Sequence, residues 1–136
     1  MSKADNIAAQ ERFGNAVNSN SLDDLNDLVA ADCIDHDPAP GQIKGPFGYI
    51  SLFRQMISAF PDFAVEVEQL VADDDKVAFA YTITGTHRGE FFGIPATGRR
   101  IRARGLQISR FNSEAKMIER WGSSDQLGIL QQLGAA

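Results

Sequence analysis

Apolar residues recur at two different periods along this chain, and the period changes near Pro61. Before Pro61 the spacing is helical. Ile7, Phe13 and Val17 predict a helix from about Ala4 to Val17, ended by the polar run Asn18-Ser19-Asn20. Ser21 followed by Asp24 resembles a capping box, and Leu22, Leu25, Leu28 and Val29 then share one stripe, which predicts a second helix. The segment from Ile34 to Pro40 breaks that run with two prolines and the acids around His36. Pro46 suits a first helical position, and Phe47, Ile50, Phe53, Ile57 and Phe60 follow at helical intervals until Pro61 stops the run.

Beyond Pro61 the period falls to two. Phe63, Val65, Val67 and Gln69 alternate with Ala64, Glu66, Glu68 and Leu70, as in a strand, and Asp73-Asp74-Asp75 makes a turn too charged to bury. Val77 to Thr86 predicts a longer strand, with Val77, Phe79, Tyr81 and Ile83 on one side. A glycine-rich connection leads to another strand from Arg99 to Phe111; Asn112-Ser113-Glu114-Ala115 turns into a short strand, Met117 to Trp121. A final helix is predicted from Asp125 to Leu133. Helices first and antiparallel strands afterwards indicate an α+β architecture. The expectation is a single domain over residues 1–136, in which a strongly curved antiparallel sheet forms a cone or half-barrel. N-terminal helices would wrap it, and Gly85, Gly89 and Gly105 would permit the bends. Such a cone has an open mouth and a pocket.

Composition narrows the function classes. At 136 residues and 43% hydrophobic the chain can build a sizeable core. Its 13 Lys+Arg against 18 Asp+Glu give a formal charge of −5, which argues against general nucleic-acid binding. Arg99, Arg100, Arg102 and Arg104 form a local basic run that reads as an alternating solvated strand face, although one of them could point inward. The single cysteine, Cys33, excludes an internal disulfide and reads as an inert core thiol. With no signal-like N-terminus and no apolar run of membrane-spanning length, the expectation is a soluble, cytoplasmic protein.

Candidate chemistry centres on Asp125, placed just beyond Trp121 where a strand gives way to a helix. A carboxylate held against apolar walls has its pKa raised and can move protons. The alternative is plain: Ser123 or Ser124 caps the helix, Ser123 with Gln126 fits a capping box, and Asp125 is a first-turn acid facing the helix dipole. A helix N-terminus lowers a carboxylate pKa, so a general base fits Asp125 more easily than a general acid. His36, in Asp35-His36-Asp37-Pro38, is flanked by carboxylates that would favour imidazolium; His87 ends a strand and could face either the cone mouth or solvent. A metal site from His36, His87 and Asp125 finds no support in the spacing, so no metal and no cofactor are expected. Phe47, Phe53, Phe60, Phe91, Phe92 and Met56 read as core, with some of them free to line an apolar pocket.

The residues together resemble a known family. His36-Asp37-Pro38, Gly41 and Gly45, Phe60-Pro61-Asp62, Asp75-Lys76-Val77-Ala78, Gly85-Thr86-His87-x-Gly89, Pro95-Ala96-Thr97-Gly98-Arg99, Trp121, Asp125 and Gln132-Leu133-Gly134 look like the SnoaL-like polyketide (ester) cyclases, from about Val17 to Gly134. The resemblance implies the nuclear-transport-factor-like α+β cone and a homo-oligomer, either a dimer or a tetramer. It implies a cofactor-free intramolecular aldol closure on a small hydrophobic carbonyl compound, with an acid/base aspartate matching Asp125. His36 and His87 would be polar pocket or loop-ordering groups. Arg104 would orient a carbonyl, and Trp121, Phe47, Phe53 and Met56 would contact the substrate. Two departures stand out: the hairpin Asn112-Ser113-Glu114-Ala115-Lys116 lacks glycine, and Ala80 replaces a frequent arginine, removing one polar pocket wall. The competing readings are an isomerase, dehydratase or epoxide hydrolase using the same pocket, and a non-catalytic carrier or scaffold. An Asp125 that is exposed or committed to capping favours the last of these.

Overall fold

The Ser2 hydroxyl accepts the Asp5 amide while the Asp5 carboxylate accepts the Ser2 amide, and this reciprocal cap opens helix α1, Lys3–Asn18. The computed structural model describes residues 2–136. The helix buries Ala9, Ala16 and Val17, and Phe13 meets the rings of Tyr49 and Phe53 edge-on. Next comes a 3₁₀ helix, Leu22–Asp27, in place of the expected second α-helix; Ser21 makes no side-chain cap there. Strand β1, Val29–Asp35, follows at once, then α2 (Pro46–Ala59), β2 (Ala64–Ala72), β3 (Lys76–Thr86), β4 (Arg100–Phe111), β5 (Met117–Ser124) and α3 (Gln126–Gln132).

The five strands form one open sheet in the order β1-β5-β4-β3-β2. It is mixed and not purely antiparallel as expected, because β1 runs parallel to β5 while every other neighbour is antiparallel. Register shifts in β1, β2 and at the start of β5 mark bulges, which bend a sheet and increase its twist. The result is an α+β cone with the sheet unclosed.

Register fixes which side chains face inward. Val77, Phe79, Tyr81 and Ile83 of β3 and Ile101, Ala103 and Phe111 of β4 are buried, and they join Ala9, Leu25, Tyr49, Phe60 and Ile129 in one apolar cluster. The outer face carries Arg102, Arg104, Leu106 and Ile108 from β4, opposite Thr84, Thr82, Ala80 and Ala78. Ala80 therefore lies outside the cone beside Leu106, and the family's arginine at this position has no bearing on the pocket wall of this chain.

Two family motifs serve this frame. The Asp62 carboxylate accepts the Thr86 amide at 2.6 Å and the Thr86 hydroxyl at 2.8 Å, joining Phe60-Pro61-Asp62 to Gly85-Thr86-His87. Gln132 accepts the Arg102 amide at 2.7 Å and donates to the Arg102 carbonyl at 2.9 Å, fastening α3 to β4. The glycine-free hairpin closes through Asn112, whose carboxamide oxygen accepts the Glu114 and Lys116 amides, with Ala115 at a φ of 57°.

Candidate functional site

Inward-facing polar groups concentrate where β1, β4 and β5 lie side by side beneath α2. Arg120 of β5 pairs with Ser109 and neighbours Asp35 of β1 in register. Its Nη1 donates to both Asp35 oxygens, at 3.1 and 3.2 Å, and its Nε donates to Gln107 Oε1 at 2.9 Å. Gln107 passes the chain on to the buried Ser109 hydroxyl at 3.0 Å. Asp35 Oδ2 also accepts the Tyr49 hydroxyl at 2.8 Å and Gln42 Nε2 at 3.3 Å. The ion pair is shielded, with side-chain exposures of 17% for Arg120 and 8% for Asp35.

Asp35 thus gathers the Arg120, Tyr49 and Gln42 donors onto one carboxylate. Burial, reinforced by the Asp35 charge, pushes the Tyr49 phenol above its ordinary value, so its hydroxyl keeps the proton that it donates to Asp35. Burial also pushes the Cys33 thiol up to about 11, consistent with an unreactive core cysteine. Beside the cluster, a Cβ at Gly105 would collide with the Tyr81 phenol, which lies across that glycine and meets the Ser124 hydroxyl.

Asp125 lies apart from this cluster. Its carboxylate is the N-cap of α3: Oδ1 accepts the Gly128 amide at 2.9 Å, and the residue is exposed. Neither Ser123 nor Ser124 is the cap, which corrects the sequence reading; a carboxylate one residue on satisfies the helix terminus equally well. The Trp121 indole pairs in register with the outward Ile108 and stacks on His36, with ring centroids 4.7 Å apart and planes at 9°.

His36 is on that outer side too. Its Nε2 is 2.7 Å from Glu119 Oε2, while its flanking acids face elsewhere, Asp35 to Arg120 and Asp37 to the Gly122 amide. Hydrogen bonding from His36, then from Arg110, holds the Glu119 carboxyl below its ordinary value. Arg104 is also on the outer face, 74% exposed, with Glu68 at 3.7 Å; it does not reach the cone interior, a correction that follows from strand parity with Leu106.

His87 is fully buried. Its Nδ1 accepts the Thr97 amide at 3.1 Å and lies 2.9 Å from the Thr97 hydroxyl, while its backbone bonds both Arg99 and Gly98. It therefore orders the 87–99 connection, and Nε2 is left beside the Phe60 and Phe91 rings without a hydrogen-bond partner. His36, His87 and Asp125 are not brought together, and the described residues hold no cluster of three or more His, Cys, Asp or Glu able to bind a metal.

Of the apolar candidates, Phe47 is exposed, Phe53 packs on Phe13 and Phe63, and Met56 lines an open groove of about 500 Å³ between α2 and residues 90–93. Neither Asp125 nor Arg120 borders that groove. The residues that sequence reasoning missed are Asp35, Tyr49, Gln107 and Arg120. One signal was present: Arg120 alternates with Trp121 and so faces the opposite side of the strand. The pairing of Asp35 with Arg120 depends on the parallel β1–β5 contact, which no local pattern announces.

The architecture is thus an unclosed α+β cone whose sheet carries an inward polar cluster. Residues 7–133 match the family described as SnoaL-like polyketide cyclase, and the chain belongs to that family. The aklanonic acid methyl ester cyclase DnrD of Streptomyces peucetius is 25% identical over 130 residues, covering 90% of this chain and 86% of that protein. Among solved structures, TsrD from Streptomyces laurentii superposes with a TM-score of 0.89 at 26% identity, covering 100% of this chain and 99% of that one. IdmH from Streptomyces antibioticus gives a TM-score of 0.81 at 31% identity, covering 98% and 99%. Among the described residues no helix is long and apolar enough to cross a membrane.

Proposed function

We propose that this protein is a cofactor-independent proton-transfer enzyme that closes a ring by an intramolecular aldol step on a hydrophobic carbonyl compound. The observation that carries the reading is the family match over residues 7–133, together with a relative named for cyclising aklanonic acid methyl ester. In the step, a carboxylate removes the proton from a carbon acidified by adjacent carbonyls. The enolate carbon bonds to a second carbonyl carbon, and the resulting alkoxide takes up a proton. Atoms balance without an oxidant, and an extended enolate lowers the demand on the base.

Asp125 is the proposed proton carrier. It is exposed at the start of α3, where a substrate can reach it. It directly follows Ser124, whose hydroxyl meets Tyr81. To act, the carboxylate needs to present only the oxygen not committed to Gly128.

The exposed, capping Asp125 also favours a second reading, a non-catalytic binder of the same hydrophobic compounds. One experiment separates the two. Incubation of the purified protein with aklanonic acid methyl ester, without added cofactor, should give an isomeric ring-closed product if the first reading holds. Saturable binding with no product supports the second.

We also propose a homo-oligomer in which a second copy covers the outer sheet face. Leu106, Ile108, Val71 and Ile34 are exposed there, and on the same face Arg102 and Arg104 offer charges complementary to Glu66 and Glu119.

A further inference from the structure

Arg120 has one nitrogen to spare. Nε is taken by Gln107 and Nη1 by Asp35, but among the described residues no protein group accepts from Nη2. The guanidinium is also fixed in position. Asp35 and Gln107 hold two of its edges, and it lies over Gly122, where a Cβ would be 2.5 Å from Nη2 and 2.8 Å from Cζ. Nη2 is not among the buried atoms lacking a partner, so its N–H groups are open to solvent or to a ligand.

We infer that Arg120 Nη2 is an oxygen-binding subsite for the enolate oxygen of a 1,3-dicarbonyl compound. This deepens the proposed function and rests on it for the choice of ligand. The chemistry follows from the donor. A guanidinium held by partners on its other edges presents a preoriented donor, and it needs no reorganisation when charge develops on an oxygen. In a shielded site a charge-assisted hydrogen bond to an enolate is stronger than one to a neutral ketone. Asp35 neutralises the formal charge of Arg120, so the subsite favours an oxygen acquiring negative charge during reaction over tight capture of any free anion. Tyr49 and Gln42 both donate to Asp35 Oδ2, so the carboxylate that braces Arg120 is itself held in place.

The test uses 1-phenylbutane-1,3-dione, whose enolate absorbs at longer wavelength than the neutral form. Titrating the bound probe with pH should show the wild type binding enolate at least tenfold more tightly than the neutral diketone. Arg120→Lys keeps a charge beside Asp35 but loses Nη2, and should abolish that preference. The uncharged pair Arg120→Gln with Asp35→Asn removes the subsite without stranding a buried carboxylate, and should do the same while the protein stays folded by circular dichroism. Absence of probe binding in the wild type, or an unchanged enolate preference in both variants, overturns the inference. Asp125→Asn should keep the enolate preference, so loss of turnover in that variant speaks to the proton carrier alone. A preference that persists in a protein with no ring-closing activity would contradict the proposed function and leave the subsite standing.

Discussion

Tyr49 illustrates how much of the candidate site depends on single hydrogen bonds. Its hydroxyl donates to a shielded carboxylate, and hydrogen bonds to charged groups are worth more than neutral ones. Tyr49→Phe should therefore cost about 2 kcal/mol, measured as a lowered urea midpoint with an unchanged slope. Asp62 offers a pH-dependent counterpart. Hydrogen bonds from the Thr86 amide and then its hydroxyl hold the Asp62 carboxyl below its ordinary 3.8. A depressed folded-state pKa stabilises the protein above the unfolded value and is lost as pH falls through the folded one. Thermal melts of wild type and Asp62→Asn should differ most near neutrality and converge below pH 3.8, the ordinary value. A gap that stays constant from neutral to acid pH would show that Asp62 is not held this way.

At the scale of elements, α3 separates capping from chemistry. Asn caps a helix about as well as Asp, whereas Ala does not. Asp125→Ala should cost about 1 kcal/mol and Asp125→Asn almost nothing, read from denaturant midpoints of the two variants. Equal losses would mean that the negative charge, and not the cap bond to Gly128, stabilises the helix end. This element was legible in the sequence except for its capping residue, as were α1, α2 and the long strands β3 and β4; in β4 exposed and buried residues alternate from Arg100 to Leu106. Strand β1 was not legible. Ala31, which a two-residue period would bury together with Val29 and Cys33, is exposed, and a register shift falls in the same stretch. The parallel partner of β1 lies more than eighty residues away, and the Leu22–Val29 stripe predicted one helix where the chain forms a 3₁₀ helix and then β1. The site suffered for the same reason: Asp35 can be paired with Arg120 only once β1 is known to lie beside β5. For Trp121 and Arg104 the open question was facing. For Trp121, parity with Glu119 already pointed to the outer side; for Arg104, parity needed the register with Leu106 to become decisive.

For the whole molecule, the sheet has two faces of different composition. The inner one holds the apolar cluster and the Asp35–Arg120 array. The outer one leaves Leu106 and Ile108 exposed beside Trp121, and the proposed second copy would cover them. Light scattering on the wild type should give the mass of a dimer or tetramer, and Leu106→Glu should shift it to the monomer. A monomeric wild type would remove the second copy from the account. The proposed ring closure assigns proton transfer to Asp125 at the edge of this architecture, and its most direct measurement is kcat/KM for Asp125→Asn against wild type on aklanonic acid methyl ester. Because asparagine preserves the cap, a fall of roughly 10²–10⁴ with ligand binding and fold intact is the predicted result. Turnover equal to that of the wild type would contradict Asp125 as the proton carrier.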